Sequence, residues 1–181
     1  MVNVYSGTEY LVEMLDIFTQ NEIKTTFFVG GCWAEKNSDI IQRIIGDGHE
    51  LGNHGYFHKD HKVINEVRNR EEILACHNLI KSISGYQMKL FAPPSGSFGD
   101  ACLNVAQKLG YTTIMWSRDT IDWRDQDGEL ITKRAVDKTV GGDLILMHPT
   151  KATVSVLSAI IEKLKNKGLD VCTVSQVLNQ D

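Results

Sequence analysis

The sequence predicts an α/β fold of about seven parallel strands with helices packed outside, closed or nearly closed into a (β/α) barrel. Three observations predict it. Short β-branched or aromatic runs alternate with helix-periodic runs through the whole 181 residues. Distinctive polar residues fall just after successive strands (Asn3, His54, Pro93–Gly96, Asp119 or Asp122, His148), as at the strand C-termini where barrel enzymes carry their sites. No G-x-G-x-x-G follows a strand and no G-x-x-x-x-G-K-[ST] occurs, which removes the dinucleotide and P-loop alternatives.

Taken in order, Met1–Ser6 reads as a short β segment. Glu9–Gln20 carries Tyr10, Leu11, Met14, Leu15 and Phe18 at helical spacing behind Thr8. Thr25–Val29 is a buried strand ended by Gly30 and Gly31. A helix with Ile40, Ile41, Ile44 and Ile45 stops at Gly46, and Glu50–Gly52 forms a strand. A long helix spans Asn65–Ser84 and closes at Gly85. Leu90–Ala92 is a short strand running into Pro93-Pro94-Ser95-Gly96, a turn that cannot continue as helix or central strand. A helix over Asp100–Leu109, a strand over Thr112–Trp116 and a polar loop over Ser117–Asp125 follow. The remainder reads as a helix over Glu129–Val140, a strand over Asp143–Met147, a helix over Thr153–Lys167 and a last strand over Val171–Val174.

The length suits one domain, 1–181, with a real core. Apolar residues at 42% and charged residues at 23% exclude a disordered chain. A net charge of −4 with mixed signs offers no basic face, so nucleic acid is not an expected partner. No apolar run approaches the roughly 20 residues that span a bilayer. The opening residues lack a signal-peptide pattern, so a cytoplasmic location is expected unless a leader has been removed. Cys32, Cys76, Cys102 and Cys172 form no C-x-x-C pair and read as reduced, mostly buried thiols.

The run Gly46–His61, GDGHELGNHGYFHKDH, holds three of the six histidines within eight residues. On a helix, the i, i+4, i+7 spacing of His54, His58 and His61 would align them on one face. Paired imidazoles are common ligands for a divalent metal.

Five segments together resemble the polysaccharide deacetylases of carbohydrate esterase family four, the NodB-homology domain. They are TTFFV (Thr25–Val29), GHELGNHGYFH (Gly48–His58), FAPPSG (Phe91–Gly96), WSRDTIDW (Trp116–Trp123) and LILMHP (Leu144–Pro149). The resemblance implies a distorted (β/α) barrel that binds a divalent metal, usually zinc with cobalt or nickel as alternatives. It further implies removal of acetyl groups from N-acetylated oligo- or polysaccharide of chitin or peptidoglycan type. His54 and His58 match the family's metal ligands. His148 matches the general acid that protonates the leaving nitrogen, and Asp119 or Asp122 the carboxylate that orients it. Trp123, Pro94, Ser95, Gly96 and Leu146 are placed along the substrate groove, with the proline turn expected to offer an N–H to the oxyanion.

Two departures stand out. The family opens on T-F-D-D-G, where the first Asp is the base and the second binds metal. An ungapped alignment puts Asn3 and Val4 there, and no Asp occurs before Asp16. An amide is no general base at neutral pH, and valine is no ligand. Ala92 stands where the family carries an arginine that pairs with the base; the losses agree, since an arginine without its carboxylate would be an unpaired charge in a cleft. Arg118 is a candidate to place a guanidinium in that space. The third metal ligand is open between the Asn3 amide oxygen, Asp60, His61 and a second water, with His61 read as a solvated loop residue.

Two readings follow. One is a metal-dependent N-deacetylase in which activated water needs no carboxylate base. The other is a catalytically impaired relative that binds carbohydrate or regulates.

Overall fold

The computed structural model describes residues 1–178. The elements are, in order, β1 (Val2–Val4), α1 (Thr8–Gln20), β2 (Thr26–Val29), α2 (Gly31–Ala34), α3 (Ser38–Gly46), β3 (Glu50–Asn53), α4 (Glu66–Ser84) and β4 (Leu90–Phe91). After a 3₁₀ turn at Pro94–Gly96 come α5 (Asp100–Lys108), β5 (Thr112–Thr113), β6 (Arg118–Asp119), α6 (Asp122–Asp125), α7 (Gly128–Val136), β7 (Ile145–Leu146), α8 (Lys151–Asn166) and α9 (Val174–Val177). The class is α/β with parallel strands, and the residues gather into two compact units.

The first unit holds Met1–Thr26, Asp47–Glu50 and the chain from Trp116 onward. β6 pairs in parallel with β7, Asp119 facing Leu146. On the other side of β7, Val2 bridges in parallel to Met147, and the Asn3 N–H donates to the Met147 carbonyl at 3.0 Å. Both α1 and α7 pack on α8. The stripes are Leu11, Met14, Leu15 and Phe18 on α1 and Leu157, Ile160, Ile161 and Leu164 on α8, all buried. This i, i+3, i+4, i+7 spacing is why these segments are helices with one core face. Gly128 has no side chain because a Cβ there would sit 2.7 Å from Val156 Cγ1 of α8.

The second unit holds 27–46 and 51–115. β3 pairs with β4 at Asn53–Phe91, and β4 with β5 at Leu90–Thr112 and Phe91–Thr113, all in parallel. α4 packs against α2, α3 and α5. Its bounds follow from its caps: Asn65 accepts the Arg68 N–H at 2.9 Å, and Gly85 ends the helix in the left-handed conformation. At Gly52 a Cβ would lie 2.4 Å from the Phe28 ring, so β3 can lie against that aromatic only without a side chain.

Three expectations on secondary structure are corrected. Val171–Val174 is not a strand: Thr173 and Gln176 form a reciprocal capping box that starts α9 instead. The polar stretch 117–125 contains β6 and α6 rather than loop alone. The helix expected to reach Val140 stops at Val136, where Lys167 Nζ donates to the carbonyls of Val136, Asp137 and Thr139 and closes the helix end.

Candidate active site

In the second unit, the site begins where β3 ends. Asn53 is fully buried, and its Nδ2 donates to the Ile73 carbonyl at 2.8 Å and to the Tyr111 hydroxyl at 3.2 Å. Its Oδ1 accepts the Gly55 N–H at 2.9 Å, which sets the turn that carries His54. His54 Nδ1 lies 2.7 Å from the Ala92 carbonyl oxygen. A carbonyl only accepts, so Nδ1 carries the proton and Nε2 keeps its lone pair, the tautomer a metal ligand needs.

His58 follows on irregular chain, not on a helix, so helical spacing is not what pairs the histidines. It adopts a left-handed backbone (φ 53°), and its ring stands edge-on to that of His54 with centroids 5.1 Å apart. The backbone between them is clamped. The buried Glu72 carboxylate accepts the Tyr56 N–H at 3.0 Å and the Phe57 N–H at 2.7 Å through one oxygen. Gly31 and Cys32, opening α2, donate to the carbonyls of Gly55 and Tyr56. These fixtures are invisible to motif reading, because Glu72 looks like any charge on an amphipathic helix.

His61 is fully buried rather than solvated, which corrects the reading from sequence. Its Nδ1 faces Asn69 Oδ1 at 2.7 Å, its ring meets Phe91, and its Nε2 has no hydrogen-bond partner. Burial pushes its pKa below the ordinary histidine value. Asp60 accepts from the Ser97 hydroxyl at 2.6 Å and from the Lys62 N–H, which hold its carboxyl low. Among the described residues, no group of three or more His, Cys, Asp or Glu side chains is arranged to hold a metal ion. A catalytic zinc ordinarily has three protein ligands, and two imidazoles do not make that set.

Pro94 opens the 3₁₀ turn; Ser95 (φ 55°) is exposed and Gly96 takes φ 64°. The Gly96 N–H is not free for an oxyanion, since it donates to the Pro93 carbonyl at 3.0 Å. Ala92 is fully buried.

In the first unit, β1 carries Asn3 and Val4, both buried. Asn3 Oδ1 has no hydrogen-bond partner. Asp122, at the start of α6, is fully buried and receives His148 Nδ1 at 2.8 Å on Oδ1. Its Oδ2 accepts the His148 main-chain N–H at 2.7 Å and the Thr153 hydroxyl at 2.6 Å. Of the two candidate aspartates, the partner of His148 is therefore Asp122. Asp119 accepts the Ile121 N–H at 2.8 Å in a local turn.

Arg118 is committed elsewhere than the expected groove: its Nε donates to Asp143 at 3.1 Å and its Nη2 to the Lys138 carbonyl. Leu146 is core, 2% exposed, and its carbonyl accepts from Thr120, so its side chain does not wall a groove. Trp123 is 58% exposed, available to a sugar ring.

A sequence profile of the polysaccharide deacetylase family matches residues 4–114. An uncharacterized protein, YlxY of Bacillus subtilis, is 38% identical over 180 residues, covering 99% of this chain and 56% of that protein. A peptidoglycan-N-acetylglucosamine deacetylase of Bacillus cereus is 33% identical over 171 residues, covering 92% of this chain and 62% of that protein. The chain thus spans less than two thirds of these two relatives. Among solved structures, BA3943 of Bacillus anthracis, described as a CE4 family pseudoenzyme, aligns with a TM-score of 0.95 at 34% identity over 99% of this chain and 64% of that one. A BA3943 mutant described as having restored enzymatic activity aligns equally well at 32% identity, covering 99% of this chain and 66% of that one. With the profile covering more than half of its length, the chain belongs to the polysaccharide deacetylase family.

Proposed function

We propose that this protein binds N-acetylated glycan of the peptidoglycan class with a deacetylase-type site that has lost most of its hydrolytic power. The observation that carries this is the end of β1. An ungapped match to the family pattern puts Asn3 and Val4 where it has aspartates, and among the described residues no group of three or more His, Cys, Asp or Glu is arranged to hold a metal. Neither an amide nor an isopropyl group can take a proton from water or ligate strongly. No chemical step is therefore derived through a metal. His54 and His58 are the residues left to contact one, and Trp123 offers a ring face to a sugar.

The likeness to BA3943 supports the reading in a second way. The activity-restored mutant of that protein is less identical to this chain than the wild type is, at 32% against 34%. BA3943 is described as a pseudoenzyme of this family, and this chain aligns with it over 99% of its length.

One observation favours the alternative, a working metal-dependent N-deacetylase that uses zinc, cobalt or nickel. The His148–Asp122 pair is complete, and a binding protein has no need of an oriented proton donor. Two assays on the same protein decide between them. Chitin oligosaccharides and peptidoglycan fragments are titrated calorimetrically, and acetate release is followed with each metal added. Binding without acetate above background is expected. Metal-dependent acetate release, lost in His148→Ala, overturns the impaired reading, and absence of glycan binding removes both.

A further inference from the structure

We infer that Thr153 is the positioning residue of the His148–Asp122 pair, acting on the carboxylate from the first turn of α8, with Thr150 behind it. The inference rests on the reading of His148 as the group that exchanges a proton or hydrogen bond with the ligand.

The protons in this cluster have only one consistent arrangement. The Asp122 carboxylate accepts from all three of its contacts: His148 Nδ1, the His148 main-chain N–H and the Thr153 hydroxyl. The Thr153 proton therefore points at Asp122. Thr153 Oγ1 is then the acceptor toward the Thr150 hydroxyl 2.9 Å away. Thr150 Oγ1 in turn accepts the Thr153 N–H at 3.1 Å, capping the helix. Donation thus runs one way, from Thr150 to Thr153 to Asp122. With both carboxylate oxygens occupied, Nδ1 of His148 must hold the proton, and Nε2 is the ring nitrogen left for a ligand.

This is a separate duty from helix capping. The oxygen that caps α8 belongs to Thr150, so the cap survives when Thr153 loses its hydroxyl. Thr153 is fully buried, so water does not readily take the place of its proton. Without it, Oδ2 keeps one donor instead of two, the carboxylate can turn, and the imidazole can exchange tautomers. The buried α8 stripe of Leu157, Ile160, Ile161 and Leu164 makes the first turn a rigid mount for the hydroxyl.

The test is imidazole ¹H–¹⁵N correlation spectroscopy of the full chain at about pH 8.5, where an ordinary histidine is neutral, with His148 assigned by loss of its signals in His148→Gln. Wild type is expected to show a single Nδ1–H tautomer with a slowly exchanging Nδ1 proton. Thr153→Val should lose that proton signal and show a tautomer mixture, as should Asp122→Asn. Thr153→Ser should restore it. If the valine variant does not fold, judged by melting and by the buried His61 signals, Thr153→Ala is read in its place. Unchanged His148 signals in a folded Thr153→Val or Thr153→Ala variant overturn the inference while leaving the pair intact. A tautomer mixture already present in wild type overturns the pair itself.

Discussion

His54 Nδ1 lies 2.7 Å from the main-chain carbonyl oxygen of Ala92, so the ring's orientation is set by backbone and not by a side chain. With two imidazoles and no third His, Cys, Asp or Glu grouped with them among the described residues, zinc should bind weakly and readily exchange with competing chelators. Equilibrium dialysis should show one weak site in the wild type and none in His54→Ala or His58→Ala. Tight stoichiometric zinc that survives a chelator would sink this account.

Restoring carboxylates to β1 should restore chemistry at a cost in stability. Val4 is fully buried, so Asn3→Asp/Val4→Asp places a charge where there was a methyl pair. An unpaired buried charge of this kind costs roughly 3–5 kcal/mol. A bound metal offsets part of that by mass action on the folded state. The double variant should melt well below wild type, regain stability with added zinc more than wild type does, and release acetate from chitin oligosaccharide. A variant that melts normally and stays metal-insensitive would mean that carboxylates at these positions do not bind metal.

The stability of the protein should fall as pH drops below the ordinary histidine range, and His61 should cause part of the fall. Burial lowers its folded pKa, so below about pH 6.5 the unfolded chain binds a proton that the folded chain refuses. The contribution is fully present above the unfolded pKa and is lost as pH falls toward the folded one, by at most about 1.4 kcal/mol per pH unit. Denaturant melts from pH 7.5 to 5 should show a shallower pH dependence in His61→Gln than in wild type. Equal slopes would show that His61 does not titrate differently on folding.

The histidine loop should depend on Glu72. Glu72→Ala removes the shared carboxylate acceptor of the part-buried Tyr56 and Phe57 N–H groups; a hydrogen bond to a charged group contributes about 1.5–3 kcal/mol, less where water reaches the donor. Gly31→Ala attacks the same loop sterically, since its Cβ would come within 2.2 Å of the Tyr56 ring. Both variants should lower the melting midpoint and weaken zinc binding together. Loss of stability with unchanged zinc affinity would separate the clamp from the histidines.

Much of this was legible in the residues. The stripes of α1 and α8, the glycine end of α4 and the alternation of strand and helix follow from side-chain periodicity, which is local physics. Motif segments that hold their order along the chain brought His54 and His58 to notice, whose rings do meet, and His148, which does meet an aspartate. Val171–Val174 misled because a β-branched run counts as strand until a capping box three residues wide is allowed to compete with it.

What the sequence by itself determined is the class of fold and the stock of polar side chains that a site could draw on. Tertiary structure alone decided which aspartate holds His148, that Arg118 is committed to Asp143, that His61 is buried against Phe91, that Thr153 donates to Asp122 and that Glu72 holds the chain before His58. The reason is physical. Composition and periodicity are properties of neighbours along the chain. A hydrogen bond between residues 31 positions apart, such as that of Thr153 to Asp122, exists only once folding has brought both out of water into one buried place.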